Sequence, residues 1–216
     1  MPTLASLPNS RHPSLVSSSE ICQLSHDLWI WQAHDPTIKT DLFSSAVLIG
    51  LGLLLIDPIS LSKDKLQEIS QARPVAGVIV TNANHWRSAL DYSECLGVPI
   101  FAHSAACPDS KPSRIREIAK ETVFAGDLEV IEIEGAAPGE IVLYLPANRG
   151  TLIVGDALIN FEPYGFTLLP RKYCRNHREM RVSLRQLLTK TAERMLFAHG
   201  TPVLSHATSR LRQLLG

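Results

Sequence analysis

Three short apolar runs in this chain each stop on a polar residue, and that repetition constrains the fold more than any other feature. Ala76-Gly-Val-Ile-Val80 stops at Thr81, Thr151-Leu-Ile-Val154 at Gly155-Asp156, and Leu196-Phe-Ala198 at His199-Gly200. Runs of this length are strands rather than helices. An uninterrupted apolar run suits a strand covered on both faces. A carboxylate or imidazole beside Gly at such an end sits where the backbone turns and solvent enters.

The rest of the chain supplies partners for these strands. Ala46-Val-Leu-Ile49 and Leu53-Leu-Leu-Ile56 form a hairpin turning at Gly50-Leu-Gly52, where Gly allows positive φ. Leu28-Trp-Ile-Trp-Gln32 reads as an edge or hairpin strand. Ser60 is the expected cap of a helix over 61–72, with Asp64 in its first turn and Pro74 ending it. A strand at 76–81, a helix at 85–96 and a strand at 98–103 make a βαβ unit with parallel strands. Strands at 128–134, 140–146 and 151–155 follow in hairpin fashion. A helix over 178–191 is expected to bury Met180, Leu184, Leu187 and Leu188, with Asn176 as its cap and Glu179 in its first turn. A strand at 194–198 and a helix at 206–215 complete the chain. Hairpins followed by alternating strands and helices fit two sheets between helices. Residues 1–20 are a Ser- and Pro-rich flexible lead-in, and 21–216 form a single domain.

Composition narrows the function. The 21 basic residues balance the 21 acidic ones. That argues against electrostatic capture of nucleic acid or of an anionic membrane. The longest apolar run, 46–56, is short of the ~20 residues a spanning helix needs. No secretory signal is visible, so a soluble, cytoplasmic protein is expected. Cys22, Cys95, Cys107 and Cys174 are widely spaced and make neither a zinc ribbon nor a disulfide framework.

In their order, these segments resemble the metallo-β-lactamase fold family, which includes the glyoxalase II type hydrolases. That family carries His-x-His-x-Asp-His after a Thr, then Gly-His-Thr-Pro-Gly, a Gly-Asp strand end and a terminal His-Gly. Here Thr81 fits, but Asn82 and Asn84 stand at the first two His positions, Trp86 at the Asp position and Arg87 at the last His position. Gly135-Ala-Ala-Pro-Gly139 matches the turn, with Ala136 in place of its His. Asp156 and His199 match the last two ligands, so two of seven ligand positions survive. The resemblance implies a four-layer αββα sandwich and a metal-dependent hydrolase with a degenerate metal site.

A catalytic zinc uses about three protein ligands plus water. Asp156 and His199 therefore need a third, and the candidates are His85 and His103. His85 lies one residue past the second eroded position. At a helix start that shift turns a side chain by roughly 100°, so His85 is expected to point away from the pocket. Cys107 reads as a small hydrophobe. Arg87 is expected to stand in for a lost cation and to pair with Asp156. The segment 161–176, with Arg171, Lys172 and Arg175, reads either as a loop over an anionic ligand or as a packed surface loop, and the second is favoured.

Two functions follow. One is a divergent hydrolase holding one zinc, iron or manganese ion through Asp156, His199 and one or two of His85 and His103, acting on a small-molecule ester or thioester. The other is a non-catalytic binding module that has lost its metal. A metal-independent acid–base pair of His199 and Asp156 would need a nucleophile that the sequence does not supply. An exposed edge near 28–32 would leave room for a dimer.

Overall fold

The computed structural model describes residues 17–18, 20–71, 73–109, 113–118, 122–125 and 127–216. Most of the expected lead-in over 1–20 lies outside them. In chain order the elements are β1 (Ser17–Ser18), β2 (Cys22–Ser25), β3 (Leu28–Asp35), β4 (Thr40–Ile49), β5 (Gly52–Ile56), β6 (Ser60–Leu61), α1 (Lys63–Ser70), β7 (Val75–Val80), α2 (Ala89–Leu96), β8 (Ile100–His103), β9 (Ile115–Ile118), β10 (Val123–Phe124) and β11 (Leu128–Glu132). They continue with β12 (Ile141–Leu145), β13 (Thr151–Val154), β14 (Leu158–Phe161), β15 (Gly165–Leu168), α3 (His177–Leu184), β16 (Arg194–Phe197) and α4 (Ala207–Leu215).

Two large sheets carry the fold. One has seven strands in the order β2-β3-β4-β5-β7-β8-β9, the other five in the order β10-β11-β12-β13-β16. Strand alternation explains why both are buried on two faces. In β5, Leu54 and Ile56 face the other sheet while Leu53 and Leu55 face outward; in β7, Ile79 faces in and Val78 and Val80 face out. In β13 and β16, Ile153 and Leu196 face in while Leu152, Val154, Met195 and Phe197 face out. The outward residues of the first sheet pack on Leu66 and Ile69 of α1 and Ala89 and Tyr92 of α2. Those of the second pack on Met180 and Leu184 of α3 and Leu211 and Leu215 of α4. Helix, sheet, sheet, helix is the four-layer sandwich. Among the described residues no helix is long and apolar enough to cross a membrane.

Several boundaries differ from the sequence reading. Ser62, not Ser60, caps α1, its side chain accepting from the Lys65 amide. Ser60 is held extended by the pairing of β1 with β6. Strand β3 makes the hairpin alternative with β4, and β2 pairs with it over Leu28–Ile30, so it is not the edge of its sheet. The expected helix over 178–191 is α-helical only to Leu184 and continues as a 3-10 turn over Arg185–Thr189. The expected helix over 85–96 begins only at Ala89. Residues 82–88 form a loop instead, and Arg87 takes a left-handed backbone at φ 38°. That change decides where His85 points.

Candidate functional site

Two parallel strand pairs, one in each sheet, deliver their carboxyl ends to the same place. Pairing of β5 with β7 brings Asp57 beside Thr81. Pairing of β13 with β16 brings Asp156 beside His199. The sheets are stitched together here by backbone bonds, Ile141 N to Thr81 O at 2.8 Å and Phe43 N to Ala198 O at 3.0 Å.

Asp57 is buried and orders the first half of the site. One carboxylate oxygen accepts from the Thr81 amide at 2.8 Å. The other accepts from the Thr81 hydroxyl and lies 2.9 Å from His85 Nδ1. The hydroxyl's single proton is spent on Asp57, and an ionised carboxylate only accepts. Nδ1 of His85 must therefore carry a proton, which leaves Nε2 to face the cleft. Burial alone would raise the Asp57 pKa, but His85, Arg87 and Thr81 together hold it below the usual carboxylate range.

His85 is 2% exposed, and its Nε2 is the one buried side-chain nitrogen or oxygen among the described residues without a hydrogen-bond partner. It lies 3.1 Å from Asp156 Oδ1, and His199 Nε2 lies 3.5 Å from the same oxygen. All three atoms fall within 4.8 Å of one another. Four-coordinate zinc with bonds of about 2.0–2.1 Å sets its ligand atoms roughly 3.3–3.4 Å apart. The separations of the two imidazole nitrogens from Asp156 bracket that spacing, and the imidazoles lie within 4.8 Å of each other, so the three residues are grouped closely enough to hold one ion. The loop at 82–88 produces this arrangement. The expectation that His85 points away assumed a helix start, and no helix starts there.

Without a metal the three groups share charge. Burial pushes the His85 pKa down, but the carboxylates of Asp156 and Asp57 outweigh it and hold the imidazole up at about 10. Burial and the His85 cation push His199 down to about 4, leaving it neutral. Burial opposes ionisation of Asp156, yet His85, His199 and Asn84 hold it well below the usual carboxylate range.

The eroded ligand positions have acquired a different task. Asn82 and Asn84 both donate through Nδ2 to Asp156 Oδ2, at 3.2 and 3.0 Å. Oδ1 of Asp156 is thereby left for the pocket. Asn82 also donates to Glu140 at 2.7 Å, and the other oxygen of Glu140 accepts from the Ala157 amide at 2.9 Å. Burial first, and Asp156 second, push the Glu140 carboxyl up to about 8. This network also explains the Gly of Gly155-Asp156. A Cβ at Gly155 would lie 2.6 Å from Thr81 Oγ1 and 2.9 Å from Glu140 Oε1. Gly155→Ala is expected to destabilise the protein by about 1–3 kcal/mol, read from urea unfolding, because the network is too tightly packed to accept a methyl.

The other sequence candidates lie elsewhere. Arg87 does not pair with Asp156; its guanidinium donates to the carbonyls of Phe43 (2.6 Å), Asp57 (2.9 Å) and Ala198 (3.3 Å), and His85 takes the place beside Asp156. Trp86 turns away and donates to Ala106 O at 2.8 Å. Ala136 is buried in the core beneath α3. His103 stands outside the cluster, with Nδ1 accepting from the Ala105 amide and Nε2 3.7 Å from Glu132. The half-buried Cys107 Sγ faces His103 O at 3.5 Å. Sequence reasoning missed Asp57 and Glu140 as site residues. Asp57 follows an apolar strand, as Asp156 does, whereas Glu140 precedes one.

A pocket of about 940 Å³ opens over the cluster. Its lining includes Asn84, His85, Asp156 and His199 together with Leu42, Ile159, Phe161 and Leu169. Ile38, Tyr164 and Tyr173 also line it. The segment 161–176 is therefore a pocket wall and not merely a packed surface loop. Its cations Arg171, Lys172 and Arg175 are exposed and do not line the pocket.

Residues 23–216 match a family profile described as the metallo-beta-lactamase superfamily. Among solved structures, a metallo-beta-lactamase from Pontibacter korlensis is similar with a TM-score of 0.69 at 19% identity, over 90% of this chain and 99% of that one. A metallo-beta-lactamase from Erythrobacter litoralis gives 0.65 at 17% identity, over 90% and 91%. FIM-1 from Pseudomonas aeruginosa, in its mono-zinc form, gives 0.68 at 13% identity, over 91% and 94%. No curated protein matches in sequence.

Proposed function

The chain belongs to the metallo-beta-lactamase superfamily, and from that premise we propose that it is a hydrolase working with a single metal ion held by His85, Asp156 and His199. The observation that carries the reading is the buried Nε2 of His85, set 3.1 Å from Asp156 Oδ1 and grouped with His199 while Asp57 holds the opposite ring nitrogen. A carboxylate behind a metal-binding imidazole fixes its tautomer and raises its basicity.

One ion is favoured over two. Asn82 and Asn84 turn their N–H groups toward Asp156, so they offer protons where a second metal would need lone pairs. Ala136 has nothing to offer. The similarity to FIM-1 in a mono-zinc form supports the same count. Two imidazoles and a carboxylate form a donor set used for catalytic zinc and also for ferrous iron. Zinc is favoured, because the spacing suits four-coordination.

When bound, such an ion acts as a Lewis acid toward a carbonyl and makes water a nucleophile near neutral pH. The chain's own residues do the rest. Asp57 keeps a proton on His85 Nδ1, Asn82 and Asn84 hold Asp156 by one oxygen, and the pocket walls orient the substrate and exclude bulk water. Hydrolysis forms a bond from the water oxygen to the acyl carbon, breaks the bond to the leaving group, and passes a proton to that group.

The alternative is a binding module. It is supported by the way an imidazolium at His85, between Asp57 and Asp156, neutralises the cluster without metal. Metal analysis separates the two. Protein grown with zinc, iron and manganese available is expected to carry about one equivalent of metal, absent from Asp156→Ala, with ester or thioester hydrolysis tracking the metal. A metal-free wild type, with Asp156→Ala still folded, would leave the binding role.

A further inference from the structure

Neutrality of the whole chain hides a segregation of charge. Residues 163–216 hold ten of the 21 basic residues and two of the 21 acidic ones, a net charge of +8, and the remainder carries −8. Eight of the ten are arginines. A balanced composition argues against electrostatic capture only when the charge is evenly spread, because a partner meets a surface and not an average.

The fold gathers this charge onto one layer. Met180 and Leu184 of α3 and Leu211 and Leu215 of α4 turn inward onto the second sheet, which leaves the charged positions outward. Arg178 and Arg185 are exposed on α3 and the turn after it, and Arg210 and Arg212 on α4. Arg181 and Arg185 both donate to Leu215 O, at 2.8 and 3.1 Å, so the cations of α3 are drawn toward the end of α4. Arg171, Lys172 and Arg175 are exposed on the segment leading into α3. Lys190 is paired with Glu129, and Arg194 is bonded to Thr151 and Asn148. Among the described residues none of the other eight has an Asp or Glu side chain in ion-pair range, and one of the two acids, Glu193, is taken by Arg149.

We propose that this α3–α4 layer docks single-stranded nucleic acid, gripped through its phosphates without reading its sequence. Arginine's planar fork matches phosphate bidentately, as lysine cannot. The layer also holds a groove of about 420 Å³ between β15 and α4, lined by Phe166, Arg210, Gln213 and Leu214. An aromatic ring beside an arginine suits a stacked base whose phosphate is held. Lys172 Nζ, 4.6 Å over the exposed Tyr173 ring, is a second such pairing. Other anionic partners fit less well. Val182 is the one large exposed apolar side chain on either helix. Membrane surfaces are held by burying apolar side chains, and protein partners cover an apolar centre. Nucleic-acid interfaces are more polar and more cationic than either. None of these residues belongs to the cluster of His85, Asp156 and His199, so docking is expected with or without metal.

Fluorescence anisotropy of a labelled oligothymidylate of about twenty nucleotides, titrated with metal-stripped full-length protein, tests this. The expected Kd is on the order of 10 μM at about 50 mM KCl, rising steeply toward about 200 mM. Arg178→Gln/Arg210→Gln/Arg212→Gln removes exposed side chains that make no hydrogen bond among the described residues. It should weaken binding about tenfold or more and flatten the salt slope by about 2, since each single-strand phosphate contact contributes about 0.7. Lys63→Gln/Arg73→Gln/Arg116→Gln removes as many exposed charges from the rest of the chain and should leave the Kd within about twofold. Equal losses from the two variants, or no binding by the wild type at about 50 mM KCl, would overturn the proposal. So would tighter binding of phosphatidylserine vesicles or of polyglutamate, which would assign the layer to a membrane or to an acidic protein.

Discussion

His85→Ala is expected to be the most damaging single substitution in this protein, because it removes a metal ligand and a buried cation together. In metal-free protein His85 stands 2.9 Å from Asp57 and 3.1 Å from Asp156, both buried. Taking one partner from a buried ion pair leaves an uncompensated charge and costs about 3–5 kcal/mol. Urea unfolding of stripped wild type and variant at neutral pH measures that loss. The sign of its pH dependence is fixed. The folded pKa of His85 is raised to about 10 from an ordinary 6.5, so its contribution is complete below 6.5 and is lost as pH rises through about 10. The gap between wild type and His85→Ala should close over that window. Adding zinc should widen it at neutral pH. A ligand at a hundredfold its Kd stabilises by about 2.7 kcal/mol, and only the wild type has the third ligand to receive it. A variant as stable as wild type, with or without zinc, would mean that His85 is neither a ligand nor a counter-ion.

The strands were legible from uninterrupted apolar runs, whereas the four-layer architecture came from the resemblance to the metallo-β-lactamase fold, since periodicity alone does not choose it. Strands such as 76–80 and 151–154 announce themselves, and the order of hairpins, strands and helices fits two sheets between helices. Asp156 and His199 were legible because each ends such a strand. The third member of the cluster was not. His85 lies in a loop whose path is set by long-range bonds, with Arg87 reaching carbonyls of both sheets and Asn82 reaching Glu140, 58 residues away. Helix signals are local and read 85–88 as a first turn, whereas tertiary hydrogen bonds hold it open. Glu140 and Asp57 were hidden for a related reason. What makes a carboxylate part of a site is the side chain brought to face it from a distant segment, and spacing along one chain does not encode that.

Asp57→Asn tests whether the site is built for metal, since it changes one atom outside the proposed coordination sphere. Asparagine keeps the shape and can still accept from the Thr81 amide through its oxygen. Its nitrogen then faces Thr81 Oγ1 and His85 Nδ1, where the carboxylate had accepted. An amide nitrogen only donates, so Nδ1 must become an acceptor and the ring proton must move to Nε2. That proton would lie on the face directed at Asp156, where a metal needs a lone pair. Flipping the amide is no remedy, because it sets its N–H groups against the Thr81 amide. Metal affinity is therefore expected to fall 10–100-fold, the usual effect of losing the hydrogen bond behind a metal-binding histidine. Competition with a chromophoric chelator measures it. Asp27→Asn is the control: that carboxylate is also buried and hydrogen-bonded, by Ser25 and Asn148, but it lies at the opposite end of the β3–β4–β5 strands. Its loss should leave metal affinity unchanged. Equal effects from both variants would assign Asp57 to general stability, whereas a loss confined to Asp57→Asn would assign it to the support of the site behind His85.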